Sequence, residues 1–216
     1  MLRTNPAFLS CMERLVAGKH GHHIAIQSFD PGMKLIRQED HIHKVYVLLE
    51  GIIKCYMTEE NDKNLIFEFL GKGEITGELE AIRKAPSICN VEAVTAVKAY
   101  TLSQELFTML MHSDAELNRV LLEELATRLA QTCVRASYQQ LYPIEYGLIR
   151  LLMLQEAQQV FFSKRDMADY LAITIRSFNR AVKQLRERKV LTAEGFQLGI
   201  SEKELEELLR RFKLDD

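Results

Sequence analysis

Tryptophan is absent from the 216 residues, proline occurs four times and cysteine four times. No apolar run approaches the roughly 18 residues that a membrane-crossing helix needs, so no membrane association is expected. The stretch Met1 to Gly21 lacks the apolar core of about 7–15 residues that marks a secretory leader. Cys11, Cys55, Cys89 and Cys133 are widely spaced, with no Cys-x-x-Cys. That spacing disfavours a zinc ribbon and suits reduced thiols in a cytoplasm. Signatures of catalysis are missing too. There is no Gly-x-Ser-x-Gly, no P-loop, no His-Glu-x-x-His, and no Gly-x-Gly-x-x-Gly between a strand and a helix. An enzyme is therefore not expected. Nor does one sign of charge dominate, since 28 basic residues face 30 acidic ones.

What is present is uneven. Between Ser163 and Lys189 stand Lys164, Arg165, Arg176, Arg180, Lys183, Arg186, Arg188 and Lys189, opposed by Asp166, Asp169 and Glu187. A concentrated basic stretch in a near-neutral chain is a phosphate-binding footprint or a solvated helix face. The tail Ser201–Asp216 is instead net acidic.

The pattern along the chain changes twice. A short helix is expected from Pro6 to Val16. From Ile24 to about Thr101, short β-prone runs alternate with turns such as Asp30-Pro31-Gly32, Glu50-Gly51 and Gly71-Lys72-Gly73. Such spacing predicts a small all-β barrel or sandwich. Beyond Leu102 the period becomes helical. Ser113 with Glu116 reads as a capping box opening a long helix to about Leu141, before Pro143. On it Leu122, Leu125, Leu129, Thr132 and Ala136 follow 3-4-3-4 spacing, the mark of a coiled-coil seam between two copies of the chain. Burial against the chain's own domain is the competing use of such a stripe. Three regions are expected: residues 1–112, the dimerisation helix 113–141, and residues 142–216.

The last region carries the most specific motif. Ser163 and Asp166 cap a short helix with Met167, Ala168 and Leu171 facing inward. Ala172-Ile173 makes a turn, and Thr174 is an N-cap for a second helix with Phe178, Ala181, Val182 and Leu185 on its apolar face. This is a helix-turn-helix pattern. Arg176, Arg180 and Lys183 share the opposite face. Arginine can donate two hydrogen bonds to guanine and asparagine can pair with adenine. Arg176, Asn179 and Arg180 are therefore the candidate base contacts, and Lys164, Thr174, Ser177 and Lys183 the candidate phosphate contacts. Lys189-Val190-Leu191 and Gln197–Ile200 read as a small β-wing.

In order and length the whole chain resembles the Crp/Fnr family of bacterial transcription regulators. The turn glycines, Gly77-Glu78-Leu79 and the Ser163–Leu191 helix-turn-helix carry the likeness. The resemblance implies an α+β fold: an N-terminal double-stranded β-roll of cyclic-nucleotide-binding type, a long dimerisation helix and a C-terminal winged helix-turn-helix. It implies a cytoplasmic homodimer that binds an inverted repeat in double-stranded DNA, with RNA polymerase as a further candidate partner. The family often places Arg-Glu and then a second Arg on its recognition helix. Here those positions read Ile175, Arg176 and Arg180, so the usual base preference does not carry over.

By the same resemblance, Gly77, Glu78, Leu79, Ser87 and Thr132 would line an effector pocket. Members that bind cyclic AMP hold its phosphate with an Arg-Ser pair. Here the segment reads Pro86-Ser87-Ile88-Cys89-Asn90, without arginine, so an effector other than cyclic AMP, or none, is expected. A single N-terminal cysteine, Cys11, disfavours an iron–sulfur cluster, which needs four close thiolates. Inert thiols are the default expectation, with a two-cysteine switch as the alternative. His20, His22, His23, His41 and His43 are bunched, but in polar turns, and no metal site is expected. The rival functional class is a ligand sensor or scaffold acting through protein contacts. It would present apolar anchors where Arg176, Arg180 and Lys183 stand.

Overall fold

The computed structural model describes residues 2–212. The acidic tail thus ends, at residues 213–216, outside the described residues. The chain divides into two compact units, residues 2–130 and 131–212.

The first unit is built on two facing sheets. β1 (Leu2–Arg3), β6 (Asn64–Leu70), β5 (Ile53–Thr58), β8 (Asn90–Ala93) and β3 (Lys34–Ile36) lie side by side in that order. The second sheet runs β2 (Ala25–Phe29), β9 (Val97–Ser103), β4 (Lys44–Glu50), β7 (Ile75–Thr76). All pairings are antiparallel except the parallel β1–β6. Strand β4 shows why the roll closes. Its side chains alternate between faces, as any strand's must, and both faces are apolar. Tyr46 and Leu48 join Phe29, Ile53, Cys55, Leu70 and Val91 between the sheets. Val45 and Val47 point the other way, into a cluster with the helices. The β-runs expected from sequence appear as strands. The two-residue strands β1 and β7 were not expected, being too short to carry a period.

Helix α1 (Pro6–Ala17) follows from local chemistry. The Asn5 side chain accepts from the Phe8 N–H, and Pro6 takes the first turn, where its missing N–H costs nothing. Phe8, Cys11, Met12 and Leu15, at helical spacing, are buried with Phe107 and Leu110 of α3 (Gln104–Ser113) and Leu117 and Leu121 of α4 (Ala115–Leu141). A short α2 (Glu78–Arg83) follows β7. The capping-box reading at Ser113 is corrected. Ser113 closes α3, and Asp114 caps α4 by accepting the Leu117 N–H at 2.9 Å. Arg14 donates to the same carboxylate at 2.7 Å, so Asp114 is held both by its helix and by α1.

The second unit holds the rest of α4, then α5 (Ile144–Gln158), α6 (Lys164–Tyr170), α7 (Ile175–Glu187) and α8 (Glu202–Arg211). Pro143 separates α4 from α5, as expected from its missing N–H. The core gathers Leu148, Ile149, Leu152, Met167, Phe178, Leu185 and Leu205, all buried. Helix α8, opened by a Ser201–Glu204 capping box, was not expected.

Gly73 tests the packing of the N-terminal segment against the roll. Its φ is +83°, and an added Cβ would lie 2.0 Å from the Asn5 carbonyl oxygen. A left-handed backbone alone costs an L-residue about 1–2 kcal/mol. Gly73→Ala should therefore lower stability by more than about 2 kcal/mol in chemical denaturation, whereas Gly32→Ala, with nothing near its Cβ, should show only the backbone part.

Candidate nucleic-acid interface and effector pocket

Helices α6 and α7 form the helix-turn-helix, and each residue's placement follows from its caps. Ser163 accepts the Asp166 N–H at 3.0 Å and donates to the Asp166 carboxylate at 2.7 Å. Thr174 accepts the Ser177 N–H at 3.1 Å, and its hydroxyl lies 3.1 Å from that of Ser177. These hydroxyls fix the start of α7 while remaining at its solvent end. The turn between the helices reverses at Ala172, with φ +57°. Phe178, Ala181, Val182 and Leu185 are buried. That leaves Arg176, Asn179, Arg180 and Lys183 exposed on the opposite face. Arg176, Asn179 and Arg180 have no ion-pair or side-chain hydrogen-bond partner among the described residues. Lys183 approaches Glu187 at 3.8 Å, with both exposed. Such a pair contributes little and yields readily to a phosphate.

The wing is held against this helix. Leu191 and Leu198 bridge its arms. Phe196 meets the Phe178 ring edge-on at 5.8 Å, and Arg186 donates to the Gly195 carbonyl at 2.8 Å. Lys164 lies over the Phe196 ring at 5.8 Å, its ammonium still at the surface.

On α4, Leu122 and Leu129 are 59% and 67% exposed, and Thr132 and Ala136 are exposed as well. Leu125 differs: it is partly buried against the roll's helical core. One helix thus divides its leucines between its own unit and an uncovered stripe.

Of the residues expected to line an effector pocket, all but Thr132 lie in the roll. Gly77 adopts φ +90° and starts α2. An added Cβ there would stand 2.8 Å from the Lys44 carbonyl. Leu79 points outward, 37% exposed. Ser87 donates to Glu80 at 2.8 Å and is buried. Glu78 is buried and joined to a residue that the sequence pattern did not single out, Arg128 of α4. The Arg128 guanidinium donates to Glu78 at 2.7 Å, to Glu74 and Glu124 at 2.9 Å each, and to the Ile75 carbonyl at 2.7 Å. Arg3 of β1 also bonds Glu124 and lies 3.6 Å from Glu74. Asn5 donates to Glu124 at 2.6 Å. Two guanidinium groups therefore sit among the buried carboxylates of Glu74, Glu78 and Glu124, with Glu68 at the rim.

Acids outnumber bases, and the protonation equilibria reflect it. Burial, against the pull of Arg128, pushes Glu74 and Glu78 up to about 7. Burial also opposes ionisation of Glu124, but Arg128 and Arg3 outweigh it and hold that carboxyl below its ordinary value. Arg128 is raised well above its usual value: burial works against its charge and the surrounding carboxylates more than compensate.

Residues 26–114 match the family model described as cyclic nucleotide-binding domain. The chain is 26% identical over 177 residues to the "Probable transcriptional regulator flp" of Lacticaseibacillus casei, covering 79% of this chain and 80% of that protein. The c-di-GMP-responsive global regulator CLP of Xanthomonas campestris superimposes with a TM-score of 0.76 at 20% identity, over 89% of this chain and 99% of that one. A transcriptional regulator of the CRP/FNR family from Thermus thermophilus gives 0.70 at 18%, over 86% and 98%. Among the described residues, no helix is long and apolar enough to cross a membrane.

Two outcomes test the buried cluster. Between about pH 4.5 and 7 Glu74 and Glu78 bind more protons in the folded chain than in the unfolded one, because burial raises both from 4.5 to about 7. Their contribution to stability is full below 4.5 and is lost as pH rises through 7. Denaturation midpoints across that window should show this decline, and Glu78→Gln should flatten it. Arg128→Ala strands three buried carboxylates and should cost about 3–5 kcal/mol in chemical denaturation above pH 7.

Proposed function

This chain belongs to the Crp/Fnr family of transcription regulators, and on that premise we propose that it acts as a cytoplasmic homodimer reading an inverted-repeat operator in double-stranded DNA. The observation that carries the reading is the face of α7. Arg176, Asn179 and Arg180 stand exposed on a helix whose other face is wholly buried. Side chains held that way on a rigid helix can enter a major groove, where arginine reads guanine and asparagine reads adenine. Lys164, Thr174, Ser177 and Lys183 flank them as phosphate contacts.

A second copy is supplied through α4. Leu122, Leu129, Thr132 and Ala136 form an uncovered stripe of heptad spacing, with Leu125 at its edge. Two recognition helices related by that axis would enter successive major grooves about 34 Å apart. A regulator seated on an operator acts on RNA polymerase, the enzyme whose access the operator controls.

Any effector is one other than cyclic AMP. A buried cyclic phosphate needs a cation, and the segment around Ser87 supplies none. The guanidinium that reaches Glu78, that of Arg128, is committed to three carboxylates. The excess acid around it opposes a further negative charge. The account requires no catalytic group, in keeping with relatives that are transcription regulators.

Substitution separates the two kinds of contact. Arg180→Ala should cost about 1–3 kcal/mol and relax selectivity at one base position of each half-site, read by binding to a set of single-base operator variants. Lys183→Ala should weaken binding to all sequences alike and reduce the logarithmic salt slope by about 1 per phosphate that the lysine neutralises. An unchanged base profile for Arg180→Ala would remove that residue from the reading.

A further inference from the structure

Cys55 and Cys89 are far apart in the sequence, and neither belongs to the recognition helix or to the buried charge cluster around Arg128. The fold brings them together. In the β5–β8 pairing, Cys55 stands opposite Val91 and Tyr56 opposite Asn90. Cys89 precedes β8 and falls two residues before Val91, the spacing that returns a side chain to the same sheet face. It packs against the inter-sheet cluster that contains Cys55. The Cys89 thiol beside it, followed by burial, pushes Cys55 well above the ordinary thiol range. Cys55 is buried and Cys89 half-buried. Both are free thiols.

We propose that Cys55 and Cys89 form an oxidation site, a dithiol in the β-roll that hydrogen peroxide converts to an intramolecular disulfide. Cys89, the more accessible sulfur, attacks one peroxide oxygen. The O–O bond breaks, Cys89 becomes a sulfenic acid, and the other oxygen leaves as water with the thiol proton. The Cys55 sulfur then attacks that of Cys89. The S–S bond forms, the S–O bond breaks, and a second water leaves with the Cys55 proton. The thiol pair has lost two electrons and the peroxide has gained them. Thiol exchange restores the dithiol.

Its consequence follows from what Cys89 is attached to. The Ser87 hydroxyl lies 2.9 Å from the Cys89 carbonyl and 2.8 Å from Glu80 of α2, so its single proton links this turn to that helix. Helix α2 also carries Glu78, which pairs with Arg128 of α4. Drawing the Cys89 sulfur onto β5 displaces this turn and strains the Ser87–Glu80 bond, so oxidation is felt at α2.

The test uses the full chain carrying Cys133→Ser, which removes the one exposed thiol. The protein is treated with hydrogen peroxide while folded, unfolded in an alkylating agent, digested without reductant and examined by mass spectrometry. The expected product is a peptide pair joined through Cys55 and Cys89, with two hydrogens lost. Hydrogen exchange over residues 78–90 should be faster in the oxidised protein and return on reduction. Full alkylation of Cys55, a link to Cys11 instead, or over-oxidation of Cys89 beside a free Cys55 would overturn the site. A link with unchanged exchange would overturn its coupling to α2. Neither readout involves DNA, so either failure is separate from failure of the operator-binding reading.

Discussion

One guanidinium organises the first unit. Arg128 lies at the junction of β7, α2 and the long helix, holding the Ile75 carbonyl of β7 and the carboxylates of Glu74 just before it, Glu78 of α2 and Glu124 of α4. Removing charged groups from water is costly, and pairing repays that cost only if the partners are held in place. Here the partners are fixed by the chain around them. Glu124 sits one helical turn away on the same helix. Gly77 starts α2 in a conformation that a side chain would disfavour. Arg3 and Asn5 bring the N-terminal segment onto Glu124. The cluster thus ties together the first strand, the roll and α4.

The same cluster carries an imbalance of charge. A site with more buried carboxylates than guanidinium groups favours protons and disfavours anions. Glu74 and Glu78, poised near neutrality, show that the imbalance is partly relieved by proton uptake. Glu78 and Arg128 are each occupied by the other, and Arg128 by two further carboxylates.

Much of the second unit was legible in the sequence because its information is local. Ser163 and Thr174 announce their helices by caps only three residues long. The apolar face Phe178, Ala181, Val182 and Leu185 is a plain helical period, so the opposite face could be named in advance. The pocket was less legible because its contacts are remote. Arg128 meets Glu78 and Glu74 across 50 and 54 residues, and Arg3 meets Glu124 across 121. Only the Glu124–Arg128 spacing of one turn hinted at the pairing, and alone it reads as a solvated helix face. Asp114 took the cap from Ser113 because the helical stretch after Leu102 runs as α3 through Ser113 itself. Leu125 shows that heptad spacing alone does not say which side of a helix meets its own core.

The most direct test of the central claim is selection of a random duplex library by the purified protein at two salt concentrations, followed by sequencing. The account predicts an inverted repeat whose half-sites lie one helical turn apart, about 10 base pairs, with binding that falls steeply as salt rises. Recovery of no motif, or of a single half-site bound by a monomer, would contradict it.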